Sequence, residues 1–490
     1  LAALEGADLE VSPPSFRSYK NATAFSLAQL PVAADTTADL SAPASVTLAN
    51  TELAAGAKLV LPLTAEFAAK PTLPTDGTAT LAFAAVPNLA GTYTLGGTDW
   101  TDADLAHLAV ALEGDRAGQY TAALSVANGA LKLTVTEVPA VAGAKSAHLF
   151  ARGYMGSTAL SQFPALIKLP AHVKNFRYSE STADGSDLWF SDANGNRIPH
   201  EIESWTPGGD SFVWVRVPSL TPGVEIVVHW GDAASKPALS DTKTFNDDYL
   251  GVWHFADTTW KESSPNALAT TAYGTPTIRE SKVGNGFYNA SGANHLETAN
   301  NSKWLAYANT KQLSVSGWFK INTATSNMRI ISCKSTWSSA GGFEITSRDT
   351  AGTSLLAGCN NNAQYTGTGT PNQVNEWVHF TVIYDGTLET PESRMYINGV
   401  YKTKATGANY CPVTKSDPLA LGGTPNPTPT VNPLLGGLDE VRLTKTVLSE
   451  EWIKADYDTA NNPTGFFTEE DDYTIVTGST YENVAPAYGT

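Results

Sequence analysis

The stretch Trp377-Val-His-Phe-Thr-Val-Ile-Tyr384 ends on the turn signal Asp385-Gly386, and Arg394-Met-Tyr-Ile-Asn398 follows it with a second signal, Asn398-Gly399. Successive side chains of a strand point to opposite faces, so β-branched and aromatic residues in short alternation mark a half-buried strand. Asn-Gly and Asp-Gly supply the positive φ that tight hairpin turns require. The unit reads as strand, turn, strand.

The same pattern recurs outward in both directions. Leu313-Ser-Val-Ser-Gly-Trp-Phe319, Glu225-Ile-Val-Val-His-Trp230, Phe212-Val-Trp-Val-Arg-Val217 and Leu131-Lys-Leu-Thr-Val135 all read as strands. Ala79-Thr-Leu-Ala-Phe-Ala-Ala-Val86 and Ala123-Leu-Ser-Val126 are weaker examples, and Asn194-Gly195 marks another hairpin. Two segments read helical: 102–112, opened by acidic residues, and 449–457, where Ser449 can cap and Glu450 and Glu451 suit the first turn. The expected fold class is all-β, as tandem β-sandwich domains.

Composition narrows the partners. The 490 residues carry 31 Lys plus Arg against 48 Asp plus Glu, a net charge of −17. That excess argues against nucleic acid, whose phosphates reward clustered Lys and Arg, and against anionic membrane surfaces. No apolar run of about 18 residues occurs, so no transmembrane helix is expected. The chain begins at Leu1, which suggests a removed targeting segment or a fragment of a longer product. Composition shifts divide it into an Ala/Thr-rich β domain of unclear type (1–145), an aromatic-richer β domain (146–236), a long β domain (240–465), and an acidic tail or the start of a further module (466–490).

The third part resembles a laminin-G-like, concanavalin A-like lectin jelly roll. The resemblance begins at Tyr249-Leu-Gly-Val-Trp-His-Phe255 and Lys261-Glu-Ser-Ser-Pro-Asn266 and continues through Gly284-Asn-Gly-Phe-Tyr288. It runs on through Asn375-Glu-Trp-Val-His-Phe380 and Leu419-Ala-Leu-Gly-Gly423, closing on Gly437-Leu-Asp-Glu-Val-Arg-Leu443. The second part is similar to an uncharacterised bacterial extracellular domain of unknown function, carried by Asp187-Leu-Trp-Phe190, Ile198-Pro-His-Glu-Ile-Glu203 and Val227-Val-His-Trp-Gly-Asp232. Together they imply a secreted or cell-surface bacterial protein.

Flat aromatic rings stack on sugar faces, so aromatics outside strand centres are the glycan-platform candidates: Trp304, Tyr307, Trp337, Tyr365 and Tyr410. Trp214, Trp253, Trp318 and Trp377 sit in alternating strands and are expected in cores. The resemblance further implies a calcium ion held between the loop after the first strand and the closing strand, here Glu262, Asn266 and Asp439. Glu262 stands where Asp is more usual, and Pro265 where Gly is.

Other clusters read as structure. Asp184, Asp187, Asp192 and Asn194 lack an EF-hand frame, and Asp192 supports the Asn194-Gly195 turn. His200 and Glu201 point to opposite faces of a strand, so their adjacency with Glu203 makes no acid/base pair. No HExxH, GxSxG, phosphate loop or CxxC pattern occurs, and no catalytic residues are assigned. Of Cys333, Cys359 and Cys411, at most one disulfide is expected, Cys359–Cys411. Cys333 and Cys359 should flank the strand around Phe343 at about twice the inter-strand spacing, too far to bridge.

The reading that follows is a binding or adhesion protein recognising glycan or another extracellular ligand, including a protein. The alternatives are a self-assembling subunit of a surface fibre or layer, and a carbohydrate-active enzyme.

Overall fold

The structure, a computed structural model, describes residues 8–469 apart from 13–15, 21–24, 28, 42–43, 86–88, 115–116, 118–119, 139–142, 175, 237–243, 299–302, 324–326, 335–340, 348–354, 360–364, 368–373, 408–416 and 426–431. Of the described residues, strand makes up 49% and helix 9%. The chain is all-β, as its alternation predicts.

The first unit is a parallel stack of windings and not a sandwich of antiparallel hairpins. Phe16 pairs with Thr37, Thr37 with Lys58 and Lys58 with Thr80 on one side. Phe25 pairs with Val46 on a second side and Leu30 with Thr51 on a third. Phe16, Thr37 and Lys58 are each 21 residues apart, so one winding takes about that length. Its corners recur too: Asp35, Gly56 and Gly77 have φ of 53°, 74° and 76°. A Cβ on Gly56 would lie 2.2 Å from Asp35 Oδ1, so only glycine lets one corner sit on the next. The antiparallel hairpin Tyr120–Ala127 and Ala130–Glu137 joins the stack. The helix expected over 102–112 is only a 3₁₀ turn, Asp102–His107, followed by the strand Leu108–Glu113. Parallel pairing with Ala79–Ala84 overrides the weak helical signal there.

The second unit is a five-stranded sheet facing a three-stranded one. Leu149, Phe163, Ile167, Phe190, Val213 and Val228 fill the space between them. The third unit is a two-sheet jelly roll of eight and seven strands. Asn398 and Gly399 have φ of 50° and 74°, the two positive values a type I′ hairpin turn needs.

Residues 450–469 do not form a separate tail. Ser449 Oγ accepts from the Trp452 N–H and starts the helix Glu450–Asn461. Beyond it, Phe466 and Phe467 enter the core of the second unit. Thr468 and Glu469 then pair with Phe150 and Leu149 as an added edge strand. The part expected as 466–490 thus begins inside the second unit, and 470–490 lie outside the described residues. The chain closes on itself: the second unit is completed by residues that follow the third.

Candidate functional site

Parity along the large jelly-roll sheet decides what faces outward. In Gln312–Ile321, Leu313, Val315, Phe319 and Ile321 enter the core, as do Val378, Phe380, Val382 and Tyr384 of Trp377–Asp385. Trp318, Lys320, Trp377 and His379 therefore lie on the outer face. One end of that face is covered and the other is open.

At the open end, Tyr288 pairs with Gly437, Gly437 with Lys320, and Lys320 with Trp377, a single row across four strands. Gly437 leaves a gap in the row, and the Trp377 indole reaches over it. A Cβ at Gly437 would stand 2.7 Å from Trp377 Cη2. The Arg279 guanidinium lies over the Tyr288 ring at 3.8 Å. Asn322 donates from Nδ2 to Asn375 Oδ1 at 2.7 Å. Its own buried Oδ1 has no partner among the described residues. Arg279, Glu280, Tyr288, Lys320, Asn322 and Trp377 line a cleft of about 90 Å³. An aromatic ring at each end, with cationic and amide groups between, suits a small polar ligand that also has an apolar face.

At the covered end, two β-bulges aim carboxylates at one histidine. The pairing of His200–Ser204 with Ser211–Leu220 slips between Ile202 and Ser204, which makes Glu203 the extra residue. The pairing of Gln312–Ile321 with Gly436–Thr444 slips between Ser316 and Trp318, and Glu440 stands there at φ 50°. Gly317 faces this bulge, where a Cβ would come within 3.1 Å of Val441 Cγ2.

His254 Nδ1 lies 2.7 Å from Glu440 Oε1 and 3.8 Å from Glu203 Oε2. Arg442 donates to Glu440 Oε2 at 2.8 Å and to Asp456 Oδ1 at 2.6 Å. The Trp214 indole N–H donates to Glu203 Oε2 at 2.9 Å. Burial pushes the Glu203 carboxyl well above the usual range, and the Glu440 and Asp439 charges push it further. Burial and Glu440 raise Asp439 similarly. Burial alone would raise Glu440 too, but His254 and Arg442 outweigh it and hold that carboxyl below its ordinary value. Side-chain atoms of Glu203, His254 and Glu440 all lie within 4.8 Å of one another.

The residues singled out from sequence fare differently. Trp304 and Tyr307 are fully buried: they lie on a short helical turn that folds their rings inward, Tyr307 against Phe343. Neither can be a surface platform. Trp337 and Tyr410 lie outside the described residues, as does the side chain of Tyr365, whose backbone forms the edge strand Tyr365–Gly367. Trp214, Trp253 and Trp318 are in cores as expected, but Trp377 is only half-buried and belongs to the cleft.

The calcium set does not fit that ion. Glu262 is saturated by backbone N–H groups of Val252, Ser264 and Leu268 at 2.7, 2.6 and 2.8 Å. Asn266 donates to the Leu250 carbonyl, and Asp439 accepts from the Val283 and Glu440 N–H groups. Calcium needs six to eight oxygens, and the Glu262 and Asp439 carboxylates are already taken up by backbone N–H groups. Asp192 holds the Asn194-Gly195 turn by accepting from Asn194 and Asn196, as expected. His200 packs on Phe190 while Glu201 bonds Lys261 and Ser263, on opposite faces as expected.

Comparison with known proteins matches this architecture. Residues 290–454 form a domain of the concanavalin A-like lectin/glucanases superfamily. Residues 184–263 form a domain of unknown function, DUF2341. This second match runs past 236 and takes in both Glu203 and His254, while the first holds Glu440. No curated protein matches the chain.

Among solved structures, domain 4 of the extracellular arabinanase AbnA from Geobacillus stearothermophilus is 18% identical, with a TM-score of 0.34 over 44% of this chain and 98% of that one. The binding domain of botulinum neurotoxin serotype D/C is 15% identical, with a TM-score of 0.36 over 44% of this chain and 53% of that one. The binding domain of Paraclostridial Mosquitocidal Protein 1 is 12% identical, with a TM-score of 0.36 over 44% and 53%. The chain spans about half the length of these two toxin binding domains.

Proposed function

We propose that the chain is an extracellular binding protein whose jelly roll takes a glycan in the cleft between Trp377 and Tyr288. One observation carries the reading. The row Tyr288–Gly437–Lys320–Trp377 sets two aromatic side chains and a cation along one face, with the Trp377 indole seated over Gly437, where only a glycine leaves it room. Arg279, Asn322 and Glu280 supply donors and acceptors beside it. Sugars present an apolar ring face and a hydroxyl rim, and the cleft offers a partner for each. The superfamily of the 290–454 domain, which includes lectins, supports the same class of ligand. Secretion from a bacterium goes with it as part of the proposal.

A glycan array probed with the whole chain, with and without divalent cations, tests the reading. We expect binding to a restricted set of glycans, weakened at least about tenfold by Trp377→Ala, since one stacked aromatic contributes on the order of 1 kcal/mol beyond its buried area. Uniform absence of binding would overturn it, as would binding indifferent to Trp377 and Arg279.

A further inference from the structure

The bulged carboxylates of Glu203 and Glu440 and the imidazole of His254 meet where the DUF2341 domain packs on the jelly roll. We infer that they hold a single divalent transition-metal cation of the zinc or manganese class.

The donor atoms carry the argument. Each of the three residues offers one ligand atom, and these lie within 4.8 Å of one another, close enough to share an ion. The Glu203 side chain is completely buried, and among the described residues no N–H or hydroxyl donor reaches its Oε1, which leaves the Glu440 carboxyl as the group it meets. The His254 side chain is 5% exposed, and its Nδ1 faces both carboxylates, 2.7 Å from Glu440 Oε1 and 3.8 Å from Glu203 Oε2. A buried carboxylate oxygen left bare costs far more than one that is paired.

The remaining atoms of the set are anchored as the outer shell of a metal site would require. Trp214 holds Glu203 Oε2, and Arg442 holds Glu440 Oε2. His254 Nε2 lies 3.9 Å from Glu201 Oε2, longer than a hydrogen bond but near enough for the two to close into the carboxylate–histidine pair that turns Nδ1 toward an ion. Four buried carboxyl groups crowd together here, Glu203, Asp439, Glu440 and Asp456, with one guanidinium, Arg442, and the imidazoles of His254 and His379 beside them. One nitrogen and two carboxylates suit a borderline cation that accepts low coordination, and not calcium. Glu201, 16% exposed beside the open Lys261, marks the way in.

The alternative occupant is a proton shared between the carboxylates, and the two make different predictions. The whole chain, stripped with EDTA, is titrated calorimetrically with Zn²⁺, Mn²⁺, Ca²⁺ and Mg²⁺ in turn, and its melting temperature is followed. We expect one equivalent of Zn²⁺ or Mn²⁺ to bind and raise the melting temperature. Glu203→Gln and His254→Gln should abolish that binding while circular dichroism stays that of a folded β protein. Glu201→Gln should weaken it about tenfold, as an outer-shell change does. Glu203→Gln keeps the shape and replaces a buried carboxyl with a neutral amide, so it is expected to fold even where His254→Gln does not. In a Co²⁺-loaded sample the visible absorption should be that of a nitrogen- and oxygen-ligated low-coordinate ion. A chain that takes up none of these cations stoichiometrically would overturn the inference. So would binding that survives Glu203→Gln, or uptake of calcium alone.

Discussion

Arg442 of the jelly roll lies over the Trp214 ring of the DUF2341 domain, with its guanidinium carbon 4.2 Å from the ring centroid. Around this pair, Leu166, Phe245, Tyr249, Val283, Trp318 and Ala460 form one apolar cluster shared by both domains. The contact is a desolvated cation–π pair, a geometry that helps hold two surfaces together. Arg442 also pairs with Glu440 and Asp456, so its removal leaves two buried carboxylates without their guanidinium.

Arg442→Met is therefore expected to lower stability by about 3–5 kcal/mol, the usual cost of breaking a buried ion pair by deleting one partner. Urea titration followed by tryptophan fluorescence measures it. A change under about 1 kcal/mol would mean that the joint does not depend on this residue.

The return of the chain end predicts joint unfolding. Phe466 packs against Phe163, with ring centroids 6.1 Å apart, and the Leu166 N–H donates to Thr459 Oγ1 at 2.9 Å. Phe466→Ala should cost about 3–5 kcal/mol, as for a buried aromatic elsewhere. Calorimetry should show the DUF2341 and jelly-roll domains melting in one transition. Two transitions far apart in temperature would count against a shared core.

Gly437→Ala tests the cleft from beneath. Its new methyl must displace the Trp377 indole, at an overpacking cost of about 1–3 kcal/mol. Stability should fall moderately while glycan binding falls as far as in Trp377→Ala. Unchanged binding would show that the indole is not positioned by this row.

Acid should weaken the second unit through two histidines. Burial pushes His172 below its ordinary value, and its ring is held neutral, accepting from the Lys168 N–H and donating to the Pro463 carbonyl. Burial, and then the nearby His148, bring His229 down to about 4 while it stacks on Trp189. Both are neutral in the folded chain, whereas the unfolded chain takes up protons from about pH 6.5 downward. Their contribution is complete above about pH 6.5 and is lost as the pH falls, for His229 through about 4. Melting temperatures from pH 7.5 to 4.0 should drop over that window, less so in His229→Gln. An identical drop in that variant would remove His229 from the account.

Cys333 and Cys359 both flank Phe343: the Cys333 N–H donates to the Phe343 carbonyl, and Cys359 pairs with Phe343 across the next ladder. Two inter-strand steps are about 9–10 Å, beyond the reach of a disulfide. Non-reducing peptide mapping should find no Cys333–Cys359 peptide. Cys411, the expected partner of Cys359, lies outside the described residues.

Much of the fold could be read before folding. Ser449 with Glu450 announces the C-terminal helix, and Asn398-Gly399 announces its hairpin, because caps and turns are satisfied by neighbours a few positions away. The parallel stack was also written locally, in Val32-Ala-Ala-Asp35 repeated as Leu53-Ala-Ala-Gly56, a period of 21 that strand-by-strand alternation conceals. Trp304 and Tyr307 were misplaced because a short turn among polar residues reads as exposed whichever way its rings point.

The candidate sites depended on long-range pairing. Alternation places Trp377 and Lys320 on strands, but only the register Tyr288–Gly437–Lys320–Trp377 makes them one row. Glu203, His254 and Glu440 each look ordinary in their own segments. Two bulges and the packing of two domains bring them together across 186 residues between His254 and Glu440. Side-chain period and capping are short-range and survive in any context, so the chain alone determines strands, turns and the class of fold. Register, bulge position and domain contact are settled by the global minimum of packing, so the cleft and the buried cluster exist only once the whole chain has folded.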